Sequence, residues 1–541
     1  MVSAEFLGLA GVQVGLVERE TDGSWTVHVT SAPGSGPCCP GCGQLAGRPK
    51  EATSHTLKHL VVMPVRVTWH KSIFWCDNSG CEKASFAEAG PLARAGGWVT
   101  EHAKKVMGHL IGDWLVPVSR VATAVGVAWH TGHDGFESVA ADAQIVVTDT
   151  TSAQTSAETT CARTSADDGG GGPGSAVAVE LADRAVRSVT GVLPPVRVLG
   201  IDDHRRGRPL YHRDPASGKW VADADRWQSV FVDSAGGHGL LGQVEGRAGL
   251  DVIAWLAGQD PAWLAAIRWV TVDMSTVYKS AVTTSGLLPG AQLIVDLFHV
   301  IQLANKMIGD VRRRVTFERY GRRGRAADPE YVIKGLLVRG QERLSKRARH
   351  KLLCALADLG DGGRQIGAAW RAKELLRDLV ELSPNQTGLA PTRPQIATAL
   401  EAFFVFCGTV GGSVPEIQTL AETISLWRAE IARGVATGHS NAAAEGVNRL
   451  VKLVYRTGFG FTNVTNQQRR SRYAASRSTR TVWLSPAWLQ ETARQGEPPA
   501  MPTPTTLPLR KHRPGHVDLL GEADDQRSHT VTTAWTQSVA A

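Results

Sequence analysis

HSNAAAEGVNRLVKLVYRTGFGF, residues 439–461, carries the acid on which the reading of the whole chain turns. Its apolar period is that of a helix of roughly five turns. Gly458 and Gly460 lie just past its end. Asn441, Glu445, Asn448 and Lys452 succeed one another at offsets of four, three and four, which places them on one helical face. Val447, Leu450, Val451 and Val454 mark the opposite, core-facing side. Taken alone, this is a half-buried helix with an ordinary surface Glu. What Glu445 does depends on what the fold sets beside it.

Three apolar runs upstream end in carboxylates. VRVLGID closes on Asp202 with Asp203 beside it, IRWVTVDM on Asp273, and AQLIVDLFHV on Asp296 with His299 three residues further. SVFVDS and LLGQVEG read as further strands, and LDVIAWLAGQDPAWLAAI and TVYKSAVTTSG as helices between them. Alternation of this kind predicts an α/β layer whose strands are buried on both faces. The carboxyl ends of strands are where α/β folds place their sites. Hard divalent cations take oxygen ligands, and carboxylates from separate elements suit a two-ion site for phosphodiester chemistry. Asp202, Asp273 and Glu445 would form such a site if the late helix packs across the sheet edge.

At 541 residues the chain is too long for one core. Its net charge of +8 suits a polyanionic partner. No apolar run of about 18 residues is present, which argues against a membrane span. MVSAEFLGLAGVQ lacks a basic start and a long apolar centre, so the expected location is the cytoplasm, where thiols stay reduced. Cys39 and Cys42, then Cys76 and Cys81, form two knuckles separated by strand-like sequence, and such pairs close tetrahedral zinc sites. Cys38 is an alternative ligand. Cys161, Cys354 and Cys407 are isolated.

Residues 98–114 are helical in period. Ser119 is placed to cap a short helix, SRVATAV, that breaks at Gly126, and a second helix begins near Val127–Trp129. Helix, Gly-containing turn and helix outline a helix-turn-helix, with Ser119, Arg120 and Trp129 as its DNA-facing candidates. The pattern degrades after His130. Residues 150–176 are rich in Ser, Thr and Ala and end in a glycine run, the composition of a flexible linker. Residues 300–436 read as mostly helical. Between Arg312 and Lys351 there are fourteen Lys/Arg against four Asp/Glu, either a phosphate-tracking surface that begins with Arg312, Arg313 and Arg314 or a solvated helix face. Trp427 reads as core, with base stacking as the alternative. Beyond about residue 480 the Pro- and Thr-rich sequence has little to bury and predicts a disordered tail.

GIDD at 200–203, VTVDMS at 270–275, IVDLFHV at 294–300 and NAAAEGVNRLVK at 441–452 together resemble the DDE transposases of bacterial insertion sequences, of the ISL-three family. Arg247 opening a helix, RTGFGFTN at 456–463 with Arg469, Arg470 and Arg472 behind it, the cysteine knuckles and the helix-turn-helix outline fit the same layout. The resemblance covers roughly residues 36–135 and 196–475. It implies an α/β, ribonuclease-H-like catalytic domain with a helical insertion, preceded by a zinc-ribbon-like module and a helix-turn-helix. It also implies Asp202 on the first strand, Asp273 after the fourth and Glu445 on the late helix as the catalytic, Mg2+- or Mn2+-binding triad. Asp296 and His299 would then support that site, with Asp296 in place of Asp273 as the rival assignment. Small residues Ala442 to Ala444 let the helix approach closely. Asn441, Asn448 and Lys452 would reach DNA phosphates or orient ligands, and Lys452 could instead pair with an acid. Asp203 stands where the family usually carries Glu.

On this reading the domains are a zinc module at 1–90, a helix-turn-helix region at 91–140 and a linker at 141–190. The catalytic core occupies 191–310, its helical insertion 311–436 and its last helix 437–480, before a tail at 481–541. The protein would bind the terminal inverted repeats of its element, cleave and join DNA strands with two bound metal ions, and hold one structural zinc ion. It would act as a homodimer or larger assembly on double-stranded DNA, at the bacterial nucleoid when bound. The alternative is a non-catalytic DNA-binding protein descended from a transposase, which needs none of the acids. A nuclease of the same fold would cut without needing a repeat end.

Overall fold

The computed structural model describes residues 8–9, 11–21, 24–32, 37–60, 64–94, 96–150, 186–190, 193–207, 210–224, 226–476, 480–481 and 483. The expected linker between 151 and 185, Cys161 within it, and nearly all of the expected tail lie outside the described residues. Among those described, the chain divides into two compact units. One is drawn from residues 1–194, 240–243 and 447–495, the other from 195–239 and 244–446.

The first unit opens with a sheet of β1 (Val12–Arg19), β2 (Trp25–Ser31), β3 (Pro49–Leu60) and β4 (Pro64–Trp75), in the order β1-β2-β4-β3, with β5 (Ser85–Ala87) on β4. Strand alternation puts Val27, Val29, Leu57, Val67 and Trp69 on one face, where they bury with Leu9, Val12, Leu92 and Ala93. Three helices follow: α1 (Glu101–Gly112), α2 (Val118–Val125) and α3 (Trp129–Asp142). Thr100 caps α1 by accepting from the Ala103 amide. Two expectations change here. The residue preceding α2 is Pro117, whose fixed φ starts the helix without a side-chain cap, and Ser119 sits exposed inside the first turn. The second helix also does not fade after His130. It runs to Asp142, held by Phe136, Val139 and Ala140 in the core with Val106, Met107 and Ile111 of α1. The turn between α2 and α3 is made by Gly126 in the left-handed region at φ 71°.

The ends of the expected linker are ordered as strands. β6 (Val146–Thr150) and β7 (Val186–Thr190) pair antiparallel.

The second five-stranded sheet is made of β8 (Val198–Arg205), β11 (Trp227–Asp233), β12 (Leu240–Glu245), β13 (Trp269–Val272) and β14 (Gln292–Val295). Their order is β12-β11-β8-β13-β14. Counted within the sheet this is 3-2-1-4-5, with the second strand antiparallel to the first and the fourth and fifth parallel to it. Val198, Leu199, Ile201, Val270, Val272, Ile294 and Val295 are buried, as continuous apolar runs in a covered sheet should be. A hairpin of β9 (Leu210–Arg213) and β10 (Trp220–Ala224) interrupts the first two sheet strands and was not legible in the sequence. The apolar stretch 250–267 is two helices, α4 (Gly249–Ala257) and α5 (Pro261–Ala266), because Asp260 caps the second and Pro261 opens it. α6 (Thr276–Thr284) follows β13.

After β14, α7 (Leu297–Tyr320) runs without a break across the expected domain boundary at 310. The helical region continues through α8 (Lys346–Asp358), α9 (Asp361–Glu381), α10 (Arg393–Gly408), α11 (Pro415–Leu426) and α12 (Arg428–Thr437). Trp427 is a core residue, 1% exposed. The helix of the opening stretch is α13 (Ala442–Thr457), followed by α14 (Val464–Ala475). The first turn of α13 counts with the second unit, and its remainder and α14 count with the first. The reason is burial: Val454 and Ala474 pack with Leu115, and Tyr473 meets Phe136 edge-on at 5.5 Å.

Gly200 on β8 is required by close approach. A Cβ there would lie 2.3 Å from Ser234 Oγ and 2.8 Å from Asn441 Oδ1. Gly200→Ala should therefore destabilise the protein by roughly 1–3 kcal/mol. Thermal and denaturant melts check this, and a variant as stable as wild type would show that the approach is not constraining.

Candidate active site

Strand pairing brings the first two acids together. β8 and β13 run parallel with Ile201 opposite Val272, so Asp202 and Asp273 occupy the next position on neighbouring strands, about 4.8 Å apart in backbone spacing. Asp203 points the other way, as alternation demands, and its carboxylate accepts from the Tyr278 hydroxyl on α6 at 2.9 Å. Tyr278 was not foreseen, and no local pattern marks it.

The late helix arrives at the same strand ends through Asn441, which is fully buried. Its amide nitrogen donates to the Asp273 carboxylate at 3.4 Å and to the Ile201 carbonyl at 3.5 Å. Its amide oxygen accepts from the Thr271 hydroxyl at 3.3 Å. The Glu445 amide donates to the Asn441 carbonyl at 3.2 Å, so Glu445 is one helical turn on and on the same face. The face named from sequence is thus not a uniform solvent stripe. Asn441 and Asn448 are buried, Glu445 is half-buried and Lys452 is exposed. Of the two roles open to Asn441, orienting ligands fits its position and reaching phosphates does not.

Asp296 caps α7 by accepting from the Phe298 amide at 3.3 Å and is 3% exposed. His299, one turn into α7, bridges two acids. Its Nε2 lies 3.1 Å from Asp273 and its Nδ1 3.3 Å from Asp296. Asp273, Asp296 and His299 each bring a ligand atom within 4.8 Å of the others. Of the two Asp side chains, Asp273 is the more open, at 29% exposed against 4%.

The electrostatics match the crowding. Burial, and then the Asp273 charge, push Asp202 up to about 7. Burial also raises Asp273, against the opposing pull of His299 and the Asn441 amide. The Asp296 carboxylate, as acceptor for the imidazole, raises His299 and favours the imidazolium. Carboxylates that resist ionising side by side are stabilised by a cation between them, so the donor set suits a hard divalent ion.

The four cysteines converge as a second donor set. Cys39, Cys42, Cys76 and Cys81 place their sulfurs within 4.8 Å of one another. Cys39 and Cys81 are 3.7 Å apart and Cys42 and Cys76 3.6 Å. These spacings are far beyond a disulfide and match the roughly 3.8 Å edge of a ZnS4 tetrahedron with Zn–S bonds of about 2.3 Å. Cys38 instead pairs its backbone with Leu45 and is outside the cluster.

Ser119, Arg120 and Trp129 are all exposed, on α2 and at the start of α3. The basic stretch divides. Arg314 is held by Glu416 at 2.7 and 2.9 Å and by Gln365 at 2.9 Å, Arg313 pairs with Asp310, and Arg312 is half-buried. The open cations of this stretch include Lys346, Arg347, Arg349 and Lys351 on α8.

Residues 220–471 match the family model of the ISL3-type DDE transposases, described as Transposase. No curated protein matches the chain. Among solved structures, the Drosophila P element transposase strand transfer complex matches at 9% identity over 53% of this chain and 78% of that chain, with a TM-score of 0.28.

A carboxylate with a raised folded pKa binds its proton more tightly folded than unfolded. Its contribution therefore weakens stability as pH rises from about 4 to about 7, and levels off above. In EDTA, Asp202→Asn should gain on wild type across that window by on the order of 2 kcal/mol, after allowance for partial exposure. Paired melts at pH 4.5 and 7.5 measure it, and parallel pH profiles would contradict the assignment.

Proposed function

We propose, for a chain whose residues 220–471 belong to the ISL3-type DDE transposases, that it cleaves and joins DNA strands at the ends of its element. Asp202, Asp273 and Glu445 are its catalytic acids. The observation that carries this is the Asn441 amide. It bonds the Asp273 carboxylate and the backbone before Asp202 while holding Glu445 one turn away. The sheet order 3-2-1-4-5, with one acid on its first strand and another just after its fourth, supports a ribonuclease-H-like reading of the second unit.

Bound Mg2+ or Mn2+ would supply Lewis acidity to the attacking and leaving oxygens of an in-line displacement. The three carboxylates hold that charge at the strand ends. His299 fixes the orientation of Asp273 from one side and Asn441 from the other, and Asp296 fixes His299. Asp202 and Asp273 are half-buried, which limits water around the reacting phosphate.

DNA would be read by α2 and α3, whose exposed Ser119, Arg120 and Trp129 lie on a helix, Gly126 turn and helix. The cations of α8 suit backbone phosphates. Arg314 is excluded from that role by its ion pair. Cys39, Cys42, Cys76 and Cys81 would hold a structural zinc ion. The small core around them, Cys39, Ala46 and Phe86, is too slight to fix the knuckles unaided. Joining two DNA ends calls for at least two copies of the chain.

Purified protein incubated with duplex DNA spanning its element's end should nick at the repeat boundary with Mg2+ and not with EDTA. Glu445→Gln and Asp273→Asn should lose at least about a hundredfold in rate while still binding. Cleavage that survives either substitution would refute the triad, and binding without cleavage in Mg2+ and Mn2+ would favour the non-catalytic descendant. Separately, metal analysis should return one zinc per chain. Cys42→Ser should abolish it and lower the melting temperature, and zinc-free wild type of unchanged stability would refute the site.

A further inference from the structure

The turn between α13 and α14 treats its two phenylalanines oppositely. Phe461 tucks back over Gly458, where a Cβ would meet its ring at 2.7 Å, and packs beside Leu115, Val454 and Ala474. Phe459, two residues earlier, is thrown outward and is 72% exposed. It also holds the left-handed region at φ 55°, one of three non-Gly residues with positive φ among the described residues. A bulky side chain there is disfavoured, and Gly or Asn would sit without that cost. Exposure offers no packing in return for the strain. Strain kept without a packing benefit is the mark of a displayed functional group.

The Arg120 contact and the charge of the two chain stretches that meet there identify the partner of Phe459. The Arg120 guanidinium of α2 sits 5.3 Å from the centre of its ring. Trp129, 50% exposed, opens the next helix. No Asp or Glu occurs between Trp114 and His133 or between Gly446 and Thr481, while Arg120, Lys452 and Arg456 are exposed in those stretches. An apolar ring displayed among exposed cations matches a base stack flanked by phosphates. A protein partner's apolar patch would not call for the cations.

We infer that Phe459 is a base-stacking wedge. It leaves Arg120 when DNA is bound and stacks on a base unseated from the duplex, while Arg120 turns to a phosphate. This rests on the DNA-binding reading of α2 and α3 and adds a residue that the catalytic scheme does not use.

The test uses the full chain and a short duplex of its element's end with 2-aminopurine at successive positions. Anisotropy reads binding and 2-aminopurine emission reads unstacking. Wild type should bind and raise emission at one position. Phe459→Ala should lose that rise and weaken binding about tenfold, with the salt dependence unchanged because no charge is removed. Phe459→Trp should restore the rise, and Arg120→Gln should lower the salt slope by about one. Phe459→Asn, suited to the left-handed backbone, should melt no lower than wild type, which separates a lost wedge from a damaged fold. Wild-type binding without any emission rise, or Phe459→Ala with the full rise, overturns the wedge alone. Failure of folded wild type to bind overturns the DNA-binding reading with it.

Discussion

The side-chain amide of Asn441 is the contact on which the arrangement of the site depends. It joins three elements that are far apart in sequence: β8 through Ile201, β13 and the residue after it through Thr271 and Asp273, and the start of α13. A buried amide left unbonded costs about 1–3 kcal/mol, so the three elements of this contact hold or fail together. Gly200 belongs to the same arrangement, because any side chain there would occupy the space the amide takes. Ala444, fully buried one turn along, keeps the helix close. Glu445 owes its place to this contact and not to any pattern of its own.

The site stands against the stability of the fold. Asp202 and Asp273 are set side by side in partial burial: burial and the Asp273 charge raise Asp202, and burial with the Asp296 and Asp203 charges raises Asp273. His299 and Asn441 relieve Asp273, and the Asp203 backbone amide and the His299 charge relieve Asp202. A hydrophobic pair at these positions would serve the sheet better. Retention of two mutually repelling acids at adjoining strand ends is what a cation-binding role requires.

Much of this was legible in the sequence, for reasons of range. The three acid-tipped apolar runs became β8, β13 and β14, and the core face of α13 lies where its period put it. The cysteine knuckles met as four, since short spacings within each pair leave little freedom. What failed to show was long-range or locally ambiguous. Thr271 and Asn441 are 170 residues apart, and a polar residue at a helix start reads equally as solvated or as a buried tie. Ser119 reads as a cap by residue type, but Pro117, with its fixed φ, opens the helix two residues earlier. The β9–β10 hairpin lacks clean alternation, and the docking of α14 through Tyr473 has no local signature. The basic stretch could not reveal that Arg314 is already held by Glu416, a contact made across 102 residues.

The central claim is that the acids of three separate elements form one metal site. The most direct measurement is anomalous diffraction from crystals of the protein grown with Mn2+. The account predicts manganese bound at about 2.1–2.3 Å to the carboxylates of Asp202 and Asp273, with Glu445 completing the site. Manganese held instead by Asp273, Asp296 and His299, with Asp202 and Glu445 turned away, would contradict it.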